Sequence, residues 1–391
     1  MITQRRPVAY TPRRIALVVM LTAMVLLLAS CETDDGAWED DAPLEQEVVQ
    51  AEAENLDEED AEYDDSDDPE DCLDDEAYDE EDQLCYPVVS CDEAGNCEED
   101  DYGFLDALYG MVDELVWGLV GEDFEDAAEM EEHTLITYRI SGNQIVEPDR
   151  AAVTDDLLDL QDDADTHQKI WVYFAQLVPP EQRTYLSRYV IFTDGPEEVL
   201  AFVTPDTDDP TQWRLGVDIA DSSNPEDLTF TLVHEFGHLL TLNDRQVPAD
   251  RALALEPDNE ALYEETMAAC PVYFPGEGCS EPDSYINAFF QRFWADSYET
   301  WQETTQLEDE DEREDATEAF YLSRQDAFVS DYAATSPEED IAETFATFVL
   351  RPKPTGDRVA DQKVRFLYDY PELVKLRAEM SGRLYSRLRR R

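Results

Sequence analysis

The 391 residues contain four histidines, and two of them stand four apart in His234-Glu235-Phe236-Gly237-His238. Residues i and i+4 of a helix share one face. Both imidazoles can therefore aim a nitrogen at one Zn²⁺, with Glu235 beside them as general base and acid. Zinc brings the pKa of its water to about 7, and the glutamate takes the proton as that water attacks a carbonyl. Leu232, Val233, Phe236, Leu239, Leu240 and Leu242 make the surrounding helix apolar almost all round, as burial beneath a cleft requires. The plainer alternative is a buried helix with two hydrogen-bonded histidines. His133 and His167 have no partner at ligand spacing and read as ordinary polar residues.

A catalytic zinc takes three protein ligands and leaves one position open. The third ligand can be sought in residues 330–348, where Ser336-Pro337-Glu338-Glu339 has the form of a helix start, serine as cap and proline at the first helical position. Glu339 and Glu343 then share a face. Glu339 can complete a His₂Glu set, and Glu343, one turn on, can hydrogen-bond a ligand histidine and fix its tautomer. Glu338 replaces Glu339 if the register shifts by one. The rival is Asp244, six residues after His238, at the place where metzincin-like patterns put their last ligand. Those patterns have glycine where this chain has Thr241, because the helix must end abruptly there.

Ser330-x-Tyr332-Ala333-x-Thr335, followed by Glu339-x-x-Ala342-Glu343-x-Phe345, resembles the gluzincin-like zinc metallopeptidases that include the catalytic domain of anthrax toxin lethal factor. The His-Glu-Phe-Gly-His pentapeptide matches that family too. The resemblance covers two short blocks and none of the family's substrate-recognition regions. It implies a zincin-like α+β fold, with a small mixed sheet, an active-site helix and a mainly helical C-terminal subdomain. It also implies one catalytic zinc on His234, His238 and Glu339, with Tyr332 stabilising the oxyanion and Glu343 supporting the site. The implied substrate is a protein or peptide.

Other elements must hold these residues in place. Tyr102 onward shows apolar residues at helical spacing from Phe104 to Leu119. Thr134–Ile140 reads as a strand ending at Ser141-Gly142-Asn143, and Ile170–Leu177 as a helix. Short β-like runs follow at 189–193, 199–203 and 213–219. The run 213–219 is the expected edge strand above the metal, and Asn224-Pro225-Glu226-Asp227 the expected cap of the active-site helix. Cys270 and Cys279, with prolines and glycines between them, are expected to close a loop as a disulfide. The aromatic residues from Tyr285 to Trp301 read as one amphipathic helix, 307–315 as an exposed charged segment, and 361 onward as a helical tail with a basic end.

Arg5, Arg6, Arg13 and Arg14 precede an apolar run, and Leu28-Ala29-Ser30-Cys31 resembles a bacterial lipobox. Residues 1–30 are thus expected to be a lipoprotein signal peptide, with Cys31 carrying the lipid; an ordinary signal peptide or short anchor is the alternative. Residues 31–101 are about half acidic and, from 32, lack any lysine or arginine. Such a run cannot bury a core and is expected to be a disordered tether. It carries Cys72, Cys85, Cys91 and Cys97, expected to form two disulfides, with three possible pairings, that would staple a small knot within the segment. Residues 102–391 form the expected catalytic domain, divided into 102–243 and 244–391. A net charge of −69 opposes nucleic-acid binding. The expected partners are the substrate and, through the lipid, a membrane. The rival reading is a non-catalytic surface lipoprotein with a structural or decayed zinc site; the intact Glu235 argues against it.

Overall fold

The computed structural model describes residues 72–91, 103–112, 130–195, 199–257 and 259–390, except positions 74, 81, 131, 223 and 308. The expected signal peptide, Cys31, Cys97 and most of the acidic run lie outside the described residues.

A mixed five-stranded sheet is formed by β3 (Thr134–Ser141), β4 (Gln144–Arg150), β5 (Leu186–Phe192), β6 (Ala201–Pro205) and β7 (Trp213–Asp218); β1 (Glu76–Asp79) and β2 (Leu84–Pro87) form a separate hairpin. The order is β4-β3-β5-β7-β6. Only β5 and β7 run parallel. The β3–β4 hairpin turns through Gly142, whose φ of 63° suits a residue without a Cβ. The fold is α+β: helices α1 (Gly103–Val112), α2 (Leu158–Asp162) and α3 (Ala164–Leu177) accompany the strands, and everything after β7 is helical.

The expected edge strand is corrected here. Trp213–Asp218 is an inner strand, with Trp213, Leu215 and Val217 buried. The edge on that side of the sheet is β6, which ends at Pro205, a residue that cannot donate to a ladder and belongs on edges. Leu200 accepts from Asp218 N and Asp206 N donates to Gln212, so these residues face β7. By antiparallel alternation, Ala201 and Val203 turn their N–H and C=O groups outward, away from the sheet.

The acidic run is also not all tether. Residues 76–87 form the β1–β2 hairpin, stapled by Cys72–Cys85, with Leu84, Cys85 and Tyr86 buried. It docks on the last helix, whose basic end supplies the countercharge that an acidic segment lacks on its own. Arg383 lies 2.7 Å from Asp82 and sits over the Tyr86 ring, and Arg389 meets Glu76 at 2.5 Å. The folded chain therefore begins well before residue 102. Cys91 is disulfide-bonded as well.

The remaining helices are α4 (Thr229–Leu242), α5 (Arg251–Leu255), α6 (Glu260–Ala269), α7 (Tyr285–Phe293), α8 (Tyr298–Thr305), α9 (Glu310–Leu322), α10 (Pro337–Leu350), α11 (Val359–Leu367) and α12 (Pro371–Leu388). Three expectations change in detail. The aromatic stretch breaks into α7 and α8. The charged segment near 310 is the start of α9. Asn224 caps a short 3₁₀ turn, Pro225–Leu228, that leads into α4, rather than capping α4 itself. Cys270 and Cys279 are bonded as expected. No helix among the described residues is long and apolar enough to cross a membrane.

Candidate metal centre

Helix α4 is buried on every side except at Leu240. Its start is pinned from below: Thr229 Oγ1 donates to Glu226 O and shares a 2.6 Å hydrogen bond with Tyr173 of α3. Helix α10 begins as the sequence implies, with Ser336 Oγ accepting from Glu339 N at 3.0 Å and Pro337 at the first position. The two helices cross at Gly237. A Cβ there would stand 3.1 Å from Ala342 Cα and 3.3 Å from its carbonyl oxygen, a tight fit that would push the two backbones apart by a few tenths of an ångström, so glycine favours this close approach. Phe236 packs edge-on against Phe345 beside the crossing.

Ala342 lies between Glu339 and Glu343, so this crossing delivers both carboxylates to the two histidines. His234 Nε2 and His238 Nε2 are 2.9 Å apart. Glu339 Oε2 is 3.1 Å from the first and 3.2 Å from the second. Three ligands at about 2.05 Å around a tetrahedral ion stand about 3.3 Å from one another. His234 Nδ1 faces Glu343 Oε1 at 3.1 Å, so its N–H is directed there and the Nε2 lone pair is turned to the centre. Glu339 Oε2 is buried, with the two Nε2 atoms as its near polar neighbours. With both imidazoles neutral, lone pairs gathered this way repel unless a cation sits among them. His234, His238 and Glu339 could thus hold a metal ion, and they are the one such group found among the described residues.

The electrostatics agree. Burial alone would lower the pKa of His234, but Glu339 and Glu343 outweigh it and raise it well above the ordinary histidine range. Burial is likewise outweighed at His238, where Glu339 raises the value. Burial would raise the Glu339 carboxyl, yet the two imidazoles hold it well below the usual carboxylate range. The pocket favours positive charge, which a divalent ion supplies as readily as protons.

The competing ligands are engaged elsewhere. Asp244 lies past the end of α4 and accepts the Ala249 backbone N–H at 3.1 Å. Glu338 accepts from Tyr273 Oη at 2.5 Å, and burial pushes its carboxyl up to about 7. Tyr332 opens a 3₁₀ turn just before α10, its ring centroid 6.0 Å from that of His234. Glu235, next to His234, is 4 % exposed. His167 and His133 are remote; His167 is buried and bound to Tyr138 Oη and Leu160 O, and His133 faces Thr193 O.

No family model, characterised protein or solved structure matches the chain. The site therefore stands on its own geometry.

Two contributors were not singled out in the sequence. Asp340, the residue after Glu339, and Lys363 of α11 form a fully buried pair at 2.5 Å, to which Trp294 Nε1 donates at 2.7 Å. Burial pushes the Asp340 carboxyl up to about 6 and lowers Lys363. A lysine on the apolar face of α11, between Ala360 and Val364, was the available signal. The second, Tyr273, belongs to the loop closed by Cys270–Cys279 and ties it to the first turn of α10 through Glu338.

Proposed function

We propose that this chain is a zinc-dependent peptidase of the zincin type, held outside the cytoplasm by a lipid on Cys31. The observation that carries the reading is the triangle of His234 Nε2, His238 Nε2 and Glu339 Oε2, with an intact Glu235 next to it. A zinc ion held there supplies Lewis acidity, polarising a carbonyl and acidifying water to a pKa of about 7. Glu235 receives the proton from the attacking water and passes it to the leaving amine. Tyr332 donates a hydrogen bond to the developing oxyanion. Glu343 keeps the His234 Nε2 lone pair directed at the centre. An extended substrate segment pairs with the outward N–H and C=O groups of Ala201 and Val203, which offer a ready strand edge beside α4. The paired cysteines support an oxidising compartment.

The test is a library of unstructured peptides incubated with the full chain and read by mass spectrometry. Cleavage should appear, stop when a chelator removes the metal, and return with one equivalent of Zn²⁺. Cleavage that persists in fully metal-free protein, or none from zinc-loaded chain, would contradict the proposal.

A further inference from the structure

Glu343 has two carboxylate oxygens, and the orientation of His234 uses one. Its Oε2 accepts from Ser330 Oγ at 2.7 Å. The same hydroxyl oxygen accepts the backbone N–H of Ala333 at 3.0 Å. Ala333 is the middle residue of the 3₁₀ turn Tyr332–Ala334, the turn that sets the Tyr332 ring beside His234. One hydroxyl thus joins three parts of the site: the turn with the tyrosine, the carboxylate, and through it the histidine.

We propose that Ser330 is a positioning residue for the metal centre, locking the Glu343 carboxylate against His234 and the Tyr332 turn against that carboxylate. The inference deepens the zinc-peptidase reading and rests on it. A serine that accepts an amide N–H three residues on is a common local motif and by itself implies only a turn. The difference here lies in the proton. A hydroxyl has one donor, and Ser330 directs it to a carboxylate that is already bound to a ligand histidine. The terminal torsion of a glutamate is broad, so a carboxylate held at one oxygen alone can rotate. A second hydrogen bond at Oε2 removes that freedom and fixes the ring of His234 with it. Outer partners of this kind tune metal affinity by about 10–100-fold.

The experiment compares the full-length wild type, Ser330→Ala and Ser330→Thr. Zinc affinity is read by competition with a chelator of known affinity, alongside kcat, KM and the melting of metal-free protein. Alanine should weaken zinc binding about tenfold, the lower end of the range for outer partners, and lower kcat more than KM changes. Threonine keeps the hydroxyl and should restore both. A role confined to the turn would instead lower the metal-free melting temperature and leave zinc affinity alone; that result overturns the proposal. So does a threonine variant as impaired as alanine. If wild type binds zinc and Ser330→Ala matches it in affinity and kcat, this inference alone fails. If wild type binds no zinc, the zinc reading fails and this inference with it.

Discussion

Glu235→Gln is expected to keep its zinc and lose peptide hydrolysis by about 10²–10⁴-fold, the usual contribution of a positioned general acid–base. Adjacent residues of α4 have two separate jobs in the proposed enzyme. His234 Nε2, His238 Nε2 and Glu339 Oε2 form the triangle that could hold the metal, and Glu235 is not a member of it. Glutamine keeps the size of the side chain and its place in α4 but cannot accept a proton from water. Metal content should therefore stay at the wild-type level while kcat falls and KM moves little. A purely structural metal site has no use for a base at this position. Hydrolysis that survived at wild-type rate in Glu235→Gln would leave the metal site standing and overturn the role of Glu235 as general acid and base.

Lys363→Met is expected to destabilise the protein by about 3–5 kcal/mol, as breaking a buried ion pair from one side commonly does. Lys363 and Asp340 are 1 % and 0 % exposed. Removing the lysine leaves the Asp340 carboxylate in an apolar setting with the Trp294 N–H as its remaining side-chain donor. Asp340 sits in the first turn of α10, beside Glu339, so the loss reaches the metal centre as well as the core. The double variant Asp340→Asn, Lys363→Met has no stranded charge and keeps an acceptor for the Trp294 N–H, so it should recover much of the loss. Urea unfolding of metal-free protein measures both. A single variant as stable as wild type would show that the pair does not hold this turn.

How much of this could be read from the sequence depends on how local each rule is. The cap of α10, the shared face of Glu339 and Glu343 and the pairing of Cys270 with Cys279 follow from neighbours a few residues apart, and they stand where expected. The strand order does not follow from such rules. Trp213–Asp218 and Ala201–Pro205 are both short and apolar, and which one ends the sheet depends on long-range pairing; Pro205 was the sole local hint. The β1–β2 hairpin was hidden by composition. Its acidic residues look like a solvated spacer until Arg383 and Arg389, some three hundred residues away, are brought beside them. Asp340 and Lys363 likewise reveal their partnership only when α10 and α11 pack. The choice between Glu339 and Asp244 was open in sequence because both stand at plausible spacings. Geometry separates them: Gly237 lets α10 come close enough to deliver Glu339, while Asp244 is engaged past the helix end.

The most direct test of the central claim is the metal content of the purified full chain, wild type beside Glu339→Gln and Asp244→Asn. About one zinc per chain is expected, as for a single three-ligand site, lost in Glu339→Gln and kept in Asp244→Asn. Wild type without zinc, or zinc lost with Asp244 and kept without Glu339, would contradict the account.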